Sequence, residues 1–523
     1  MKQVIGAQQL IENLARQGVQ DFILCAGARN APIVEVLSKA EGLDVFPFFD
    51  ERAAAFFAVG RIQQSKRPVA VVTTSGTAAA ELLPATIEAW YSCLPLVLIT
   101  ADRPTHFRGK GAPQSIEQVG LFSHYVHRQW DLKGAEGGDT EIPSEGPCHI
   151  NVCFDEPLLD GELSSWQAKV GEFISSSPPL ISKNKSLWQN FVNQVTQPVA
   201  IVGKLSETER PLVKQTLQRW QLPVYLEATS GLRQDKELSF FRIEAGEGFF
   251  FTQNFRRKFN GVIRLGAIPT TRLWRDLESS LRQWPVLSFS HQLFSGLGRA
   301  EQNPLPLSEL ENTWNTDFCI SDKYQKWQES LACQLQKCID KDPHSEPAIF
   351  SYLSRKIPKG SLIFLGNSLP IREWDLAASY KDRGHLFLSN RGANGIDGLI
   401  STFLGASQAY RENWLILGDL STLYDLNAPW AVKMAKGKKL RLVVINNQGG
   451  KIFRRLFNQP LFENQHNLSF EPFADMWGMD YMRWRRVPDK VPELSDHVVI
   501  EIRPNEQATT KFWKTYLAQA EES

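Results

Sequence analysis

Short apolar segments recur along the whole chain and alternate with stretches of helical periodicity. Each segment is too short for a helix and is flanked by turn-forming residues, which favours a buried strand. Strands that alternate with helices form parallel sheets covered by helices on both faces. The predicted strands are residues 22–27, 44–49, 69–74, 94–100, 198–203, 222–228, 261–267, 285–290, 361–366, 385–390, 413–419, 440–446 and 496–502. The sequence therefore predicts an α/β protein with doubly wound parallel sheets.

Two breaks divide this alternation into three segments of comparable length. A Ser- and Pro-rich stretch at 174–185 is typical of a linker, and the sequence KDPHSEP at 341–347 marks a second boundary. A chain of 523 residues suits about three domains at roughly 100–200 residues each. We expect domains at 1–175, 186–340 and 346–523, each with its own parallel sheet.

The charge balance and the hydropathy pattern exclude several classes of protein. Lys and Arg number 58 and Asp and Glu number 57, so the net charge of +1 offers no concentrated positive field for nucleic acid or a membrane surface. No apolar run approaches the roughly 20 residues that span a bilayer, and the first helix lacks the apolar core of a signal sequence. We therefore expect a cytoplasmic protein that binds neither nucleic acid nor membranes.

The seven cysteines are scattered and odd in number, which is not the pattern of a disulfide framework. Cys148 and Cys153 flank His149, but no second pair at zinc-ligand spacing follows them. Cys333 and Cys338 lie in a helix-like stretch. Buried free thiols are the favoured interpretation of both pairs, with a metal site as the alternative.

Two polar turns in the last segment follow neighbouring strands. The first is GDL at 418–420, and the second, one strand–helix–strand unit later, is NNQGG at 446–450. Such a unit brings both strand ends to one edge of the sheet, where a carboxylate, an amide oxygen and a backbone carbonyl converge. These hard oxygen ligands suit Mg²⁺ or Ca²⁺ bridging to a diphosphate at helix N-termini. Either turn alone is better explained as an ordinary turn, whereas the pair favours a metal site.

This pair of turns resembles the signature of the thiamine diphosphate-dependent enzymes, which begins Gly-Asp and ends Asn-Asn. The resemblance implies that the side chains of Asp419 and Asn447 and the carbonyl of Gly449 bind Mg²⁺ or Mn²⁺. It implies further cofactor-binding residues at Gly418, Leu420 and Ser421, although the family usually has Gly where this chain has Leu420. The family's order of a pyrimidine-binding, a middle and a diphosphate-binding domain matches the three segments.

A glutamate in the first segment extends the resemblance. Glu51, in the sequence FDERAAAF, follows a predicted strand and begins a helix. In this family a catalytic glutamate contacts the aminopyrimidine ring of the cofactor, where a carboxylic acid favours the imino tautomer that takes the proton from thiazolium C2. A helix-start acid stabilised by the macrodipole is the alternative explanation. The family places its active sites between subunits, so the resemblance implies a homodimer or a homotetramer.

Six further stretches resemble one branch of this family. They are FDER (49–52), TSGTA (74–78), TADRP (100–104), GNSLPIR (366–372), SNRGANGIDG (389–398) and GDLSTLYDLN (418–427). Members of this branch decarboxylate 2-oxoglutarate and add the resulting carbanion to isochorismate in menaquinone biosynthesis. Both substrates are small dianions, and the planar guanidinium of arginine matches carboxylates. The resemblance therefore implies a transferase of the carboligase type.

The same branch implies roles for individual residues. Those matching its 2-oxoglutarate side are Ser368, Arg372 and Arg391, and those matching its isochorismate side are Arg29, Arg103, Gln114 and Arg272. Ile396 resembles the apolar residue wedged between the two rings of the cofactor, and Ile452 and Phe453 resemble apolar residues that cover the active site. A solvated surface charge is the alternative for any single arginine, and core packing is the alternative for the apolar residues.

Three departures from the family pattern concern the second substrate more than the cofactor. The first loop has Ala28 and Asn30 in place of hydroxyl residues, Thr271 stands where a basic residue is common, and Pro113 precedes Gln114. The alternatives are another thiamine diphosphate decarboxylase or carboligase, an FAD-requiring synthase of the acetolactate type, and a catalytically silent homologue. The middle segment lacks a Gly-rich nucleotide fingerprint, and the intact metal motif argues against a silent site.

Overall fold

The computed structural model describes residues 3–134, 136, 138–173, 185–299, 304–313, 318, 320, 322–454, 456–457 and 459–522. The chain divides into two compact units. The first comprises Met1–Pro179, Gly392–Ser407 and Leu423–Gly437, and the second comprises Leu180–Arg391, Gln408–Thr422 and Lys438–Ser523. Residues 174–184 of the predicted linker lie outside the described residues. The three domain boundaries therefore stay a prediction.

The first compact unit contains a large parallel sheet and a two-stranded one. The strands are β1 (Asp21–Cys25), β2 (Ala40–Glu41), β3 (Asp44–Phe48), β4 (Val69–Thr73), β5 (Leu96–Asp102), β6 (Arg128–Lys133), β7 (Cys148–Cys153) and β8 (Trp166–Gln167). The helices are α1 (Gln3–Arg16), α2 (Ala31–Ser38), α3 (Glu51–Ser65), α4 (Thr77–Ala80) and α5 (Leu83–Tyr91). The large sheet has the order β3-β1-β4-β5-β7-β6, and β2 pairs with β8. Its central strands are buried on both faces, which explains their continuous apolar runs.

The second compact unit contains a four-stranded parallel sheet from the middle segment. Its strands are β9 (Pro198–Val202), β10 (Val224–Leu226), β11 (Gly261–Leu265) and β12 (Val286–Phe289). The helices of this segment are α6 (Lys185–Gln194), α7 (Arg210–Trp220), α8 (Gln253–Lys258), α9 (Arg272–Asp276) and α10 (Asp322–Lys341). The strand order is β10-β9-β11-β12, so β9 lies inside the sheet although it comes first in the segment.

The last segment forms a second six-stranded sheet, also in the second compact unit. Its strands are β13 (Leu362–Leu365), β14 (Leu386–Leu388), β15 (Glu412–Gly418), β16 (Lys439–Ile445), β17 (Asp480–Trp484) and β18 (His497–Ile502). Its helices are α11 (Glu346–Lys356), α12 (Leu369–Ala377), α13 (Leu399–Ala406), α14 (Asp419–Tyr424), α15 (Glu471–Met476) and α16 (Glu506–Glu522). The order β14-β13-β15-β16-β18-β17 repeats that of the first sheet when strands are counted along the chain. Helix α13 lies in the first compact unit.

Each predicted strand overlaps an observed one, and the strands of all three large sheets pair in parallel, which confirms the α/β class. Three strands of the large sheets, β6, β7 and β17, were not predicted. Strands β6 and β17 lie at sheet edges and expose polar side chains, and β7 contains the buried polar residues His149 and Asn151. Their mixed sequences hide the strand pattern. None of the described helices combines the length and the apolar character that a membrane crossing demands.

Helices α3 and α13 pack closely in the first compact unit because each carries a glycine at the contact. A Cβ atom on Gly60 would lie 2.0 Å from the carbonyl oxygen of Thr402, and one on Gly405 would lie 2.1 Å from the carbonyl oxygen of Phe57. A larger residue at either position would push the helices apart. The contact holds the helix that begins at Glu51 against a helix from the last segment.

Candidate functional site

The carboxyl ends of β15 and β16 lie side by side in the second compact unit. The two strands pair in parallel with Gly418 opposite Ile445, so the residues that follow them leave the sheet at one edge. The Asp419 carboxylate accepts the N–H of Leu420 at 2.7 Å and the N–H of Gly449 at 2.9 Å. A direct hydrogen bond therefore joins the two polar turns that the sequence motif contains.

The two polar atoms of the Asn447 side-chain amide differ in their hydrogen bonding. Its Nδ2 donates to the two carboxylate oxygens of Glu346 at 3.2 and 3.0 Å, while its Oδ1 is buried without a hydrogen-bond partner among the described residues. An unsatisfied buried acceptor costs about 1–3 kcal/mol, so this oxygen marks a place for a ligand. A hard divalent cation would satisfy it, and the residues at this edge fit Mg²⁺ or Mn²⁺.

Gly449 lets the loop after β16 pass close to the backbone of the segment that contains Glu463. Its φ is 137°, and a Cβ atom there would lie 2.4 Å from the carbonyl oxygen of Glu463. Only glycine combines this backbone conformation with so close an approach. Glycine at position 449 is therefore required by the loop itself, whatever the loop binds.

Burial raises the pKa of the Asp419 carboxyl, against the opposing effect of its N–H donors and of His466. His466 Nε2 lies 3.3 Å from Asp419 Oδ2. A bound divalent cation would add a larger positive charge and hold Asp419 ionised. His466 was not a candidate from the sequence, because it reaches Asp419 from a later loop that no motif spacing describes.

The candidate residues for 2-oxoglutarate surround the N-terminus of α12. Ser368 caps this helix with a φ of 73°, a conformation that is uncommon outside glycine. Arg372, one turn into the helix, donates to the Ser368 carbonyl at 2.8 Å. Arg391 is 6% exposed and donates to Asn367 Oδ1 at 2.9 Å. The structure thus brings Ser368, Arg372 and Arg391 into one loop cluster beside a helix N-terminus, where anions are favoured.

Glu51 is the first residue of α3, at the carboxyl edge of the sheet in the first compact unit. Asp50 caps the helix by accepting the N–H of Ala53 at 2.9 Å, and it also accepts from Asn427 at 3.0 Å. The Glu51 carboxyl is half-buried, and this burial raises its pKa, with support from the charges of Asp50 and Glu81. A carboxyl that keeps its proton more readily is suited to donate to a ring nitrogen.

Arg103 and Gln114 lie in one loop after β5. Arg103 Nε donates to the carbonyl of Pro113 at 3.0 Å, and its guanidinium lies over the ring of Phe107. Gln114 is exposed and has a φ of 53°. Pro113, which departs from the family pattern, accepts this hydrogen bond through its carbonyl oxygen and directly precedes Gln114. The substitution therefore leaves Arg103 and Gln114 connected within the loop.

A buried polar network below this loop was not anticipated from the sequence. Asp102, fully buried at the end of β5, accepts the N–H of Arg103 at 2.7 Å and Asn151 Nδ2 at 3.1 Å. Arg108 lies 2.7 Å from Asp131 and 3.4 Å from Asp102. The hydrogen bond between Arg108 and Asp131 raises the pKa of the guanidinium and lowers that of the carboxyl. The network fixes the start of the Arg103 loop through residues on three strands, which no local spacing could reveal.

The loop after β1, which departs from the family pattern, is held together by hydrogen bonds of the Asn30 side chain. Asn30 is fully buried, accepts the N–H of Gly27 at 2.8 Å and donates to the carbonyl of Cys25 at 2.9 Å. The Asn30 amide therefore braces the loop in this chain. Arg29 next to it donates to the carbonyl of Phe154 at 3.0 Å, so this candidate substrate residue already has a protein partner.

Ile396 is half-buried in the loop before α13, and an unanticipated residue, Glu88, anchors that loop. Glu88 lies on α5, is 2% exposed, and accepts the N–H groups of Gly392 and Ala393 at 2.8 Å each. Ser92 Oγ adds a third bond to the same carboxylate at 3.0 Å. Charge-assisted bonds of this kind are among the stronger ones, so they fix the path of the loop. A carboxylate within the apolar helix LPATIEAWY was the available signal.

Three candidate residues are more open to solvent. Arg272 begins α9, and its side chain is 53% exposed and lies 3.6 Å from Asp276. Ile452 is half-buried, and Phe453 is 38% exposed beside the ring of Phe457. Phe453 is therefore placed as a surface aromatic near the metal motif rather than as part of the core.

Three of the four cysteines considered as possible metal ligands are buried, as predicted, whereas the prediction of a buried thiol is wrong for Cys333. Cys148 and Cys153 lie on the buried strand β7, and burial raises the pKa of their thiols to about 12 and about 11. Cys338 is buried on α10, whereas Cys333 is exposed there. Within the part of the chain that the structure describes, no three His, Cys, Asp or Glu side chains cluster as metal ligands would.

Comparison with known proteins identifies relatives along nearly the whole chain. A model of the thiamine pyrophosphate enzyme N-terminal TPP-binding domain matches residues 5–121. A Bdellovibrio bacteriovorus protein named 2-succinyl-5-enolpyruvyl-6-hydroxy-3-cyclohexene-1-carboxylate synthase is 43% identical over 98% of each chain. Proteins of the same name from Akkermansia muciniphila and Geobacillus thermodenitrificans are 34% and 30% identical, over 97% and 93% of this chain and 97% and 89% of their own. The resemblance indicated by the motifs is thereby confirmed.

Proposed function

Because the chain belongs to the family of 2-succinyl-5-enolpyruvyl-6-hydroxy-3-cyclohexene-1-carboxylate synthases, which are thiamine diphosphate-dependent enzymes, we propose that it joins 2-oxoglutarate to isochorismate with loss of carbon dioxide. The product is the compound after which the family is named, and the pathway is menaquinone biosynthesis. The observation that carries the proposal is the sheet edge where a hydrogen bond joins the turns of Asp419 and Asn447 and where the buried Asn447 oxygen has no hydrogen-bond partner among the described residues.

The proposed cofactors are thiamine diphosphate and Mg²⁺ or Mn²⁺. Asp419, Asn447 Oδ1 and the Gly449 carbonyl would hold the metal, whose ligand set suits hard cations. When bound, thiamine diphosphate supplies the nucleophilic carbon and the electron sink that decarboxylation requires. Glu51 would hold a proton toward the pyrimidine ring, a role that its raised pKa supports. Ile396 would support the ring geometry from the loop that Glu88 anchors.

Gly418, Leu420 and Ser421 are the proposed neighbours of the cofactor diphosphate. They follow β15 at the beginning of α14, and Ser421 is buried. Ile452 and Phe453 are proposed to cover the reacting groups and to exclude water from them. Their apolar side chains in a loop next to the metal motif support that role.

The two substrates are proposed to divide the arginines between them. Ser368, Arg372 and Arg391 would bind 2-oxoglutarate, because Arg391 is a buried cation at a helix N-terminus and gains from an anionic partner. The residues proposed for isochorismate are Arg29, Arg103, Gln114 and Arg272. The exposed side chains of Gln114 and Arg272 support a role in recognition rather than in core packing.

The test is a two-substrate assay with thiamine diphosphate and Mg²⁺, read by product mass. We expect consumption of both 2-oxoglutarate and isochorismate and formation of one adduct with release of one carbon dioxide. Cofactor-loaded protein that leaves isochorismate untouched would sink the proposal. Omission of the metal is the matched control, and it should abolish adduct formation because the diphosphate then lacks its bridge.

We further propose a homodimer or a homotetramer, located in the cytoplasm, with active sites formed between subunits as in the family. Co-expression of Glu51→Gln with Asp419→Ala tests the shared site, because a mixed dimer would contain one site with neither substitution. We expect activity from the mixture although each variant alone is inactive. If mixed assemblies form and show no activity, the proposal of a site between subunits is wrong.

A second candidate is the same decarboxylation with a different acceptor. It is favoured by the first loop, where Asn30 uses its amide on Gly27 and Cys25 and offers no hydroxyl to a substrate. Turnover of 2-oxoglutarate with simple aldehydes, but not with isochorismate, would select this function. The Asn30→Ser variant would then be expected to recover some activity with isochorismate.

A further inference from the structure

Two carboxylates, Glu227 and Asp375, are linked in the interior of the second compact unit. They are 1% and 2% exposed, the first just after β10 and the second on α12. The hydroxyl of Thr270 lies between them, with Oγ1 at 2.6 Å from Glu227 Oε1 and 3.5 Å from Asp375 Oδ2. Two buried carboxylates joined through one hydroxyl repel each other strongly when both are ionised, so such pairs keep a proton.

The pair ties together the elements that carry three of the proposed substrate arginines. Glu227 accepts the backbone N–H of Thr270, two residues before Arg272.

Asp375 lies one turn after Arg372 on α12, and its Oδ1 accepts the backbone N–H of Ala228 at 2.7 Å. Arg391 acts electrostatically on both carboxylates. The two acids therefore form a junction between the middle sheet, α12 and the arginine that follows β14.

The charges around the pair allow it to hold one proton near neutral pH. Within the described residues, the other groups that act electrostatically on the pair are the cation Arg233, which donates to carbonyls at the C-terminal end of α12, and the phenols Tyr225 and Tyr380. Burial, followed by the charge of Glu227, raises the pKa of Asp375 to about 8 in spite of both arginines. A protonated Asp375 can donate to the Thr270 hydroxyl, which in turn donates to Glu227.

We propose that Glu227 and Asp375 form a positioning pair that shares one proton and thereby keeps Arg391 available for a carboxylate of 2-oxoglutarate. The inference rests on the proposed function, which supplies this anion. With the proton, the pair carries one negative charge and leaves part of the Arg391 charge for the substrate. Without it, two carboxylates neutralise Arg391 and compete with the substrate. Proton binding and substrate binding therefore favour each other by the same factor.

The first test is the pH profile of KM for 2-oxoglutarate in the full, cofactor-loaded chain. A coupling of one pKa unit predicts that KM rises about tenfold as the pair loses its proton above about pH 8, with a smaller change in kcat. Asp375→Asn mimics the protonated acid and should abolish the rise. Glu237→Gln, at an exposed position of the same segment, should keep it. A wild-type rise in Asp375→Asn overturns the proposal, as does a wild-type KM that does not respond to pH.

The second test needs no substrate and uses the melting temperature of the chain. The folded protein holds one more proton than the unfolded chain between the ordinary carboxyl pKa of about 4 and the raised one, so stability falls as pH rises through this window. Asp375→Asn should flatten that fall. Glu227→Gln should reduce it, because the amide removes the neighbouring negative charge that helps burial to raise the pKa of Asp375. An unchanged slope in both variants overturns the shared proton.

The two tests separate this inference from the proposed function. A flattened slope in the variants, together with no turnover of 2-oxoglutarate by wild-type protein, would mean that the proposed substrate has failed while the shared proton stands. Turnover of 2-oxoglutarate together with an unchanged melting slope in the variants would mean that the proposed substrate stands and the shared proton has failed. Thr270→Val with Thr270→Ser as its rescue adds a check on the bridge, since only serine restores the hydroxyl.

Discussion

The two six-stranded sheets, from the first and the last segment, have the same parallel strand order and carry different chemistry at their carboxyl edges. The edge of the first sheet bears Glu51, a half-buried acid whose pKa is raised. The edge of the other bears Asp419 and Asn447, which present oxygens suited to a cation. One architecture thus carries an acid with a raised pKa at one edge and oxygens suited to a cation at the other, because the loops after the strands, and not the sheet, bear these groups.

Each sheet also buries a polar network below its functional edge, but in different positions. In the first sheet Asp102 and Asn151 lie on the adjacent strands β5 and β7. In the last sheet the fully buried Glu501 on β18 accepts from Asn446 at 2.9 Å and from Tyr481 at 2.8 Å. Asn446 directly precedes Asn447 in the metal motif. Both networks fix the beginning of a loop, which shows how a rigid sheet interior can hold edge residues in place.

The largest expected effect lies at the edge of the last sheet. Asp419→Ala removes the carboxylate that receives both N–H bonds and the proposed metal, so we expect activity to fall by about a thousandfold or more. The measurement is thiamine diphosphate affinity as a function of Mg²⁺ concentration. Asp480→Asn, exposed at the start of β17 in the same sheet, is the control. If the affinity of Asp419→Ala for thiamine diphosphate depends on Mg²⁺ as in the wild type, the proposed metal site at the edge of the last sheet is wrong.

Glu51→Gln tests the edge of the first sheet. The amide keeps the size of the side chain but cannot supply an acidic proton, so we expect kcat to fall by about a hundredfold or more with the fold retained. Exchange of the thiazolium C2 proton in bound cofactor should slow in parallel. Asp44→Asn, exposed at the start of β3, should behave as wild type. Near-normal exchange in Glu51→Gln would leave only the helix-start explanation for this residue.

Glu88→Gln is expected to have a smaller effect on the loop that contains Ile396. Glutamine can accept one of the two N–H groups of Gly392 and Ala393 but places a donor against the other. We expect KM for 2-oxoglutarate to rise by about tenfold, with a lower melting temperature. Ser92→Ala removes only the third bond to the carboxylate and should change both quantities less. Equal effects of the two variants would show that the loop does not depend on the acceptor pair.

The smallest predicted effect is on stability, at the network of the first sheet. Arg108 holds the pKa of Asp131 below its usual range, so the stabilisation is present above the ordinary carboxyl pKa and is lost as pH falls through the lowered one. Both side chains are partly exposed, so Asp131→Asn should cost only about 1 kcal/mol at neutral pH and nothing in strong acid. Chemical denaturation at both pH values measures this. Glu141→Gln, in an exposed ion pair, is the control, and a deficit that persists in acid would contradict the ionic origin.

The site residues that could be predicted from the sequence are those that directly follow a predicted strand or begin a predicted helix. Asp419 and Asn447 follow adjacent strands of one strand–helix–strand unit, and Glu51 begins a helix after a strand, so chain order alone places them at sheet edges. Glu88 and His466 could not be predicted in the same way. They act on loops far along the chain, and their side-chain types carry no signal until packing brings the partners together.

Strand and turn preferences are local, so the alternation of strands and helices, the parallel sheets and the residue types at their carboxyl edges could be predicted from the sequence. The pKa shifts of these groups and the contacts that hold their loops follow from the packing of the whole chain. Burial raises the pKa of Glu51 and of Asp375, and the Asn447 oxygen is buried without a hydrogen-bond partner in the part of the chain that the structure describes. Burial depends on everything packed around a residue, and no short stretch of sequence contains that information.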